Sequence, residues 1–403
     1  MSKERTFLLV LAAALFTHIL DFMIMMPLGS QLMRIFNISP AQFSFLVSSY
    51  TFSAGASGFL AAFFIDRYDR KTSLIFIYFG FIGGTLTCAF ATTYELLLIT
   101  RSVAGAFGGV LGALVLSIVS DAIPLDRRAA AIGFVMASFS IASVAGVPLG
   151  LYLASVFSWH APFLFLGGIG ILIGLLITLF IPSMRTHMTD RDQKQSPLKI
   201  LKTIFGRKNP LMALLFTAIL MLGHFTIIPF IAPYMVGNVG FSEGELAYIY
   251  LIGGGITIFT SPRVGKLADK YGREKVFTIS ALLVLIPVLI VTHLRPVPLW
   301  QALIVTGAFF VLANGRIIPS TTMVTSVIKP ENRGSFMSIR SSVQQIASGL
   351  AALMAGAIIT ESEPSINPEV TTLVNYDIVG YVTVAFSLIA LLIARKLKVV
   401  SEV

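Results

Sequence analysis

Apolar runs of membrane-spanning length recur along the chain, separated by short polar stretches. Twelve such segments can be marked, at 6–30, 41–64, 72–93, 94–120, 129–157, 160–182, 209–237, 243–263, 276–294, 298–327, 335–360 and 376–394. A helix needs about 20 apolar residues to cross a hydrocarbon core of roughly 30 Å. The segments are apolar all round and do not alternate with period two, so they predict helices and not the strands of a barrel. Thr92, Thr93, Tyr94 and Glu95 supply the tight turn between the third and fourth spans. The longest polar stretch follows Pro182, and Leu198–Phe205 within it reads as a short amphipathic helix lying on the bilayer surface.

The pattern is written twice. His18-Ile-Leu-Asp21 leading to Pro27 returns as His224-Phe-Thr-Ile leading to Pro233, displaced by 206 positions. Asp66-Arg67-Tyr68-Asp69-Arg70-Lys71 returns as Asp269-Lys270-Tyr271-Gly272-Arg273-Glu274, and Pro124…Arg127 as Pro330…Arg333. The reading is a six-helix bundle over 1–183, a linker over 184–207 and a second six-helix bundle over 208–403. Two apolar halves of this kind suggest a transporter whose site lies between them.

Composition agrees. Charged residues are 12% of the chain and apolar residues 56%, against about 25% charged in an ordinary soluble domain. The net charge of +10 is a topology signal: 24 of the 29 Lys and Arg fall at the termini or in the even-to-odd connections. Arg34 and Arg295 lie on the other side, with the acids Glu243, Glu245, Glu361, Glu363 and Glu369. Positive charge is retained inside, so both termini and the 183–208 connection are expected in the cytoplasm of a bacterial inner membrane. Short interhelical loops are a poor surface for nucleic acid, which is excluded as a partner. The first apolar run is too long for a signal peptide and Asp21 interrupts it, so it reads as an uncleaved first helix. Cys88 is the single cysteine, which excludes an intrachain disulfide and a cysteine metal cluster.

Gly265-Lys-Leu-Ala-Asp269-Lys-Tyr-Gly-Arg273 resembles the loop signature of the major facilitator superfamily between helices eight and nine. The copy at Asp66, Arg67 and Arg70 departs from it, with Ala62 and Asp69 where the family has Gly. Asp69 is expected to tolerate the left-handed backbone that Gly would allow. The resemblance implies a gating latch in which Asp66 caps a helix and Arg70 pairs with Asp121. Arg101…Gly105…Gly108-Gly109…Gly112 resembles the family's second motif, and Gly146-Val147-Pro148-Leu149-Gly150 its antiporter motif. The narrower likeness is to twelve-helix drug:proton antiporters and their sugar- and purine-efflux relatives. It implies an all-α fold of two pseudo-twofold-related bundles, acting as a monomer by alternating access.

Asp21 is the acid lying well inside a span, and Arg101 lies about seven residues inside another. Such groups are costly in lipid and mark function. Asp21, His18 on the same helix face, Arg101 and His224 are therefore the first candidates for substrate binding and proton coupling. Asn314, Arg316 and Gln344 are the second-rank cavity candidates, whereas Arg340 is expected to snorkel to the cytoplasmic interface. The function expected is proton-coupled efflux of a small organic solute, with no cofactor and no enzymatic activity. Two alternatives stand beside it: a divalent-metal transporter using His18, Asp21 and His224, and a non-transporting membrane sensor.

Overall fold

A computed structural model describes residues 3–61, 63–185, 204–328, 333–364 and 370–397. Residues 198–203 of the expected surface helix, most of the 184–207 linker, and the side chains of Asp66 and Arg333 lie outside the described residues.

The first half contains α1 (Lys3–Ile24), α2 (Gly29–Phe36), α3 (Pro40–Ala61), α4 (Arg70–Ala89), α5 (Tyr94–Ala122), α6 (Leu125–Ile141), α7 (Val147–Val156) and α8 (Ala161–Phe180). The second contains α9 (Lys208–Phe225), α10 (Ile228–Tyr234), α11 (Leu246–Tyr271), α12 (Arg273–Leu283), α13 (Leu285–Thr292), α14 (Leu299–Thr325), α15 (Arg333–Ile358) and α16 (Tyr376–Ala394). Several apolar segments are broken rods. α6 and α7 form one span joined by a π turn at Ala142–Gly146. Pro148 has no N–H to give the carbonyl one turn earlier, so the helix widens there. The repeated His-to-Pro stretches both break the helix: α1 stops at Ile24 before Pro27, and α9 stops at Phe225 before Pro229 and Pro233.

Nine of the described rods are long and apolar enough to cross a membrane. The spans that fall short of that apolarity are α3, α11 and α15, and these meet the opposite half. Gly55 of α3 faces Ile346 and the carbonyl of Ser342 on α15, and Gly356 of α15 faces Ser44. Gly254 of α11 packs on Ser143 and Val144 at the π turn. Helices at this seam touch protein where the others touch lipid, so they tolerate serines and glutamines that lipid-facing rods do not.

The halves are also joined at the end of the bundle away from the termini. Phe22 lies 6.1 Å from Phe225 and Phe43 lies 5.8 Å from Phe230, centroid to centroid. Arg34 Nη2 donates to Glu243 Oε1 at 3.0 Å, and Gln31 Nε2 donates to the other oxygen of the same carboxylate. A short antiparallel pair, β1 (Thr360–Ser362) and β2 (Thr372–Val374), covers this end. The Asn238 side chain is bonded to it through both the N–H and the carbonyl of Leu373, at 2.9 and 2.8 Å.

Candidate functional site

Each half carries one buried arginine cluster, and the two are built differently. In the first half, Asp21 on α1 is fully buried and points at α4 and α5. Its Oδ2 accepts from Arg101 Nη1 at 2.8 Å, and its Oδ1 from the hydroxyl of Thr85 at 3.0 Å. Arg101 is 1% exposed and its guanidinium carbon stands 4.5 Å from the centre of the Tyr50 ring. Tyr50 in turn shares a hydrogen bond of 3.0 Å with His18 Nδ1. The outcome is a continuous polar chain: Thr85, Asp21, Arg101, Tyr50, His18. Its end at His18 is half-buried.

Local sequence explains this packing. A Cβ at Gly105 or Gly109 would run into the backbone of Tyr50 or Ala54, so these glycines let α5 lie directly on α3 and bring Arg101 over Tyr50. A Cβ at Gly146 or Gly150 would meet Leu20 or Ile24. The stretch resembling the antiporter motif thus fits closely against the helix that carries Asp21.

In the second half, Arg316 on α14 is 1% exposed. Nη1 donates to Ser387 Oγ on α16 at 2.9 Å and Nη2 lies 3.2 Å from His224 Nδ1 on α9. A guanidinium can only donate, so His224 Nδ1 is the acceptor and the ring proton sits on Nε2. Asn314 turns its amide back to the carbonyl of Phe310. Gln344 is half-buried on α15.

The sequence paired His18 with Asp21 and His224 as a metal alternative. The structure separates them: Asp21 is held by Arg101 and Thr85, His18 by Tyr50 and His224 by Arg316. Among the described residues no group of three His, Cys, Asp or Glu could hold a metal ion. Arg340 is a second correction. It does not reach the interface; it is 9% exposed and its Nη2 donates to Thr321 Oγ1 of α14 at 3.2 Å, because α14 passes within reach. Tyr50, Thr85 and Ser387 were missed. Hydroxyl residues are common in membrane helices, and only tertiary contact distinguishes these.

At the end bearing the termini, Arg70 Nε donates to Asp121 Oδ2 at 2.9 Å, while Arg67 is exposed. Asp69 departs from expectation. Its φ is −56°, so it needs no left-handed backbone. It caps α4 through Lys71 N–H and ties the chain after α8 to this loop, accepting from Met184 N–H at 2.8 Å and Ser183 Oγ at 2.7 Å. Burial raises its pKa, but these hydrogen bonds and the charge of Arg185 outweigh it and hold the carboxyl below its usual range. In the second copy Gly272 does take φ +96° between α11 and α12, and Gly265 faces open space. Asp269 and Arg273 are exposed there. The surface cleft of about 480 Å³ beside Arg273, Lys275 and Arg395 belongs to this end of the second half and holds none of the buried polar groups.

Comparison with known proteins agrees with this architecture. The family model described as Major Facilitator Superfamily matches residues 11–262 and again 213–402. A curated relative, the uncharacterized MFS-type transporter YtbD of Bacillus subtilis (strain 168), is 32% identical over 208 residues, half of each chain. The chain thus spans about half the length of that relative in the match. Among solved structures, a bacterial homologue of the human lysosomal transporter Spinster, inward-facing and unoccupied, superposes with TM-score 0.78 over all of both chains at 17% identity. A D-xylose-proton symporter gives 0.79 at 16% identity, over 96% of this chain and 97% of that one. The nucleoside transporter NupG gives 0.74 at 14%, over 97% and 99%. Likeness at these identities establishes the fold. The family model establishes membership: the chain belongs to the Major Facilitator Superfamily, a family of membrane transporters.

Proposed function

We propose that this transporter is a secondary active exporter that exchanges protons for a small organic solute. It works as a monomer in a bacterial inner membrane, with the face bearing its termini in the cytoplasm. The distribution of Lys and Arg supports that orientation. The contacts of Glu243, Phe225 and Phe230 across the far end then seal the outward side, and the state described is closed to the exterior. The tight fit of Gly146 and Gly150 against α1 supports the antiport direction.

The observation that carries the reading is the buried Asp21–Arg101 pair. Burying an ion pair rarely adds stability by itself, so its retention inside a membrane span speaks for use. A proton that reaches Asp21 neutralises it and weakens its hold on Arg101. The guanidinium then rests on the Tyr50 ring, 4.5 Å away. α1, α3, α4 and α5 are linked by these groups, so protonation is felt across the bundle. The Arg70–Asp121 pair, formed in this exterior-closed state, latches the loop between α3 and α4 to the end of α5 within the first half. The test is transport by Asp21→Asn in proteoliposomes. It should lose accumulation driven by a pH gradient and keep solute exchange. Accumulation at the wild-type level would remove Asp21 from the coupling step.

A further inference from the structure

The two halves differ in what balances their buried arginines. Arg101 has a carboxylate. Among the described residues Arg316 has Ser387 and His224, both neutral acceptors, and its buried Nε has no hydrogen-bond partner. Among the described residues Arg340 has the Thr321 hydroxyl, and its buried Nε is likewise without a hydrogen-bond partner there. The sequence makes the imbalance plain. No Asp or Glu occurs between Glu274 and Glu331, or between Glu331 and Glu361, and these stretches contain both arginines. Thr321, which accepts from Arg340 of α15, lies five residues beyond Arg316 on α14, roughly 7–8 Å along that helix axis by its rise per residue.

A buried guanidinium without a counter-ion is a costly group to keep. Ser387 and His224 do not require it: a glutamine amide could donate to both at no charge. The positive charge itself is what needs explaining, and it calls for an anion.

We infer that Arg316, with His224 and Ser387, forms a site for the anionic group of the transported solute, a carboxylate or phosphate, and that Arg340 is its waiting station on the side of the termini. This rests on the transporter reading and narrows its substrate class to organic acids. Arg316 offers Nε with its terminal nitrogens, the fork that grips two oxygens of a carboxylate or phosphate at once. Ser387 and the Nε2–H of His224 add donors, and half-buried His224 is the open edge of the cluster. The first half then handles the proton and the second the anion.

The experiment uses the full chain in phosphatidylcholine nanodiscs and reads the unfolding temperature with matched probes: benzoate against benzamide, phenyl phosphate against phenol, and inorganic phosphate. The acids should stabilise the protein and their neutral partners should not. Arg316→Gln should weaken the response roughly ten- to a hundredfold, the range for a lost charged hydrogen bond. Arg340→Gln should weaken it less, and Gly83→Ala, beside open space, should bind as wild type. The proposal falls if benzamide or phenol stabilises as well as its acid, if no acid shifts the wild type, or if Arg316→Gln responds unchanged. Should Arg316→Gln not fold, the wild-type probe pairs and Arg340→Gln decide. If phosphatidylglycerol in the nanodisc abolishes the probe response, the site belongs to a lipid headgroup and the solute assignment is wrong. Proton-driven transport of a neutral solute that survives Arg316→Gln would overturn the anion site and leave the exporter reading intact.

Discussion

Removing the two members of the Asp21–Arg101 pair should have unequal effects. Asp21→Asn leaves a fully buried guanidinium whose carboxylate is gone. A guanidinium cannot give up its proton, so the charge persists. Breaking a buried pair in this way costs about 3–5 kcal/mol. The Tyr50 ring stands 4.5 Å from the guanidinium with the carboxylate already present, so it cancels in this difference. The expected loss is therefore about 3–5 kcal/mol, roughly a hundredfold or more in the unfolding equilibrium. Arg101→Gln leaves a carboxyl that can take up a proton and become neutral, and Thr85 still serves it. Its cost should be smaller and should shrink further as the pH is lowered. Asp21→Asn combined with Arg101→Gln removes both charges and should recover most of the stability while transport stays uncoupled. Denaturation of the four proteins in nanodiscs at two pH values measures this cycle. Equal losses for the two single variants, or a double variant no more stable than Asp21→Asn, would refute the electrostatic account.

Three more outcomes are expected. Glu243→Ala removes the hydrogen bond from Gln31 and the partly exposed pair with Arg34; together these are worth about 1–2 kcal/mol. It should favour the outward-open state roughly five- to thirtyfold, read as faster labelling of Ser30→Cys by a membrane-impermeant thiol reagent; unchanged labelling would mean these contacts do not lock the halves. Gly109→Leu should prevent α5 from seating on α3 and abolish the monodisperse protein in size-exclusion chromatography, whereas Gly83→Ala, beside open space, should not. The carboxyl of Asp69 is held below its usual range, so the stability it lends is present above the unfolded value of about 3.9 and lost as the pH falls through the folded value. Protease cleavage after Arg185 should accelerate only on strong acidification in wild type, and at neutral pH already in Asp69→Gly.

Apolar length was enough to mark the twelve spans, because lipid imposes it, and the repeat was legible in paired motifs such as His18/His224 and Asp66/Asp269. The breaks inside the spans were less legible. Pro148 lacks an N–H, but that its effect is a π turn at Ala142–Gly146, with Gly254 of α11 packed on Ser143 and Val144, is visible only in the structure. Asp21 and Arg101 stood out by their charge alone. Tyr50 did not, since an aromatic residue in an apolar helix has an ordinary packing role until its hydroxyl meets His18. Arg340 was misread because its distance from the helix end says nothing of the neighbour that reaches it. Asp69 was read as a tolerated replacement for glycine. Its actual work, stapling residues 183–185 to α4, is non-local and invisible to a motif.

The modest apolarity of α3, α11 and α15 bears on how the chain reaches its folded state during synthesis. In α3 the hydroxyls of Ser44, Ser48, Ser49 and Thr51 turn back to carbonyls three residues earlier. This masks part of their polarity before any partner exists. The helix nevertheless completes its packing only against α15, nearly three hundred residues later on the ribosome's schedule. Until then α3 has α5 as its neighbour, sealed to it through Gly105 and Gly109. Substitutions that enlarge those glycines therefore endanger the nascent chain before the second half has been made, and their damage would be read by quality-control proteases and not in the transport cycle.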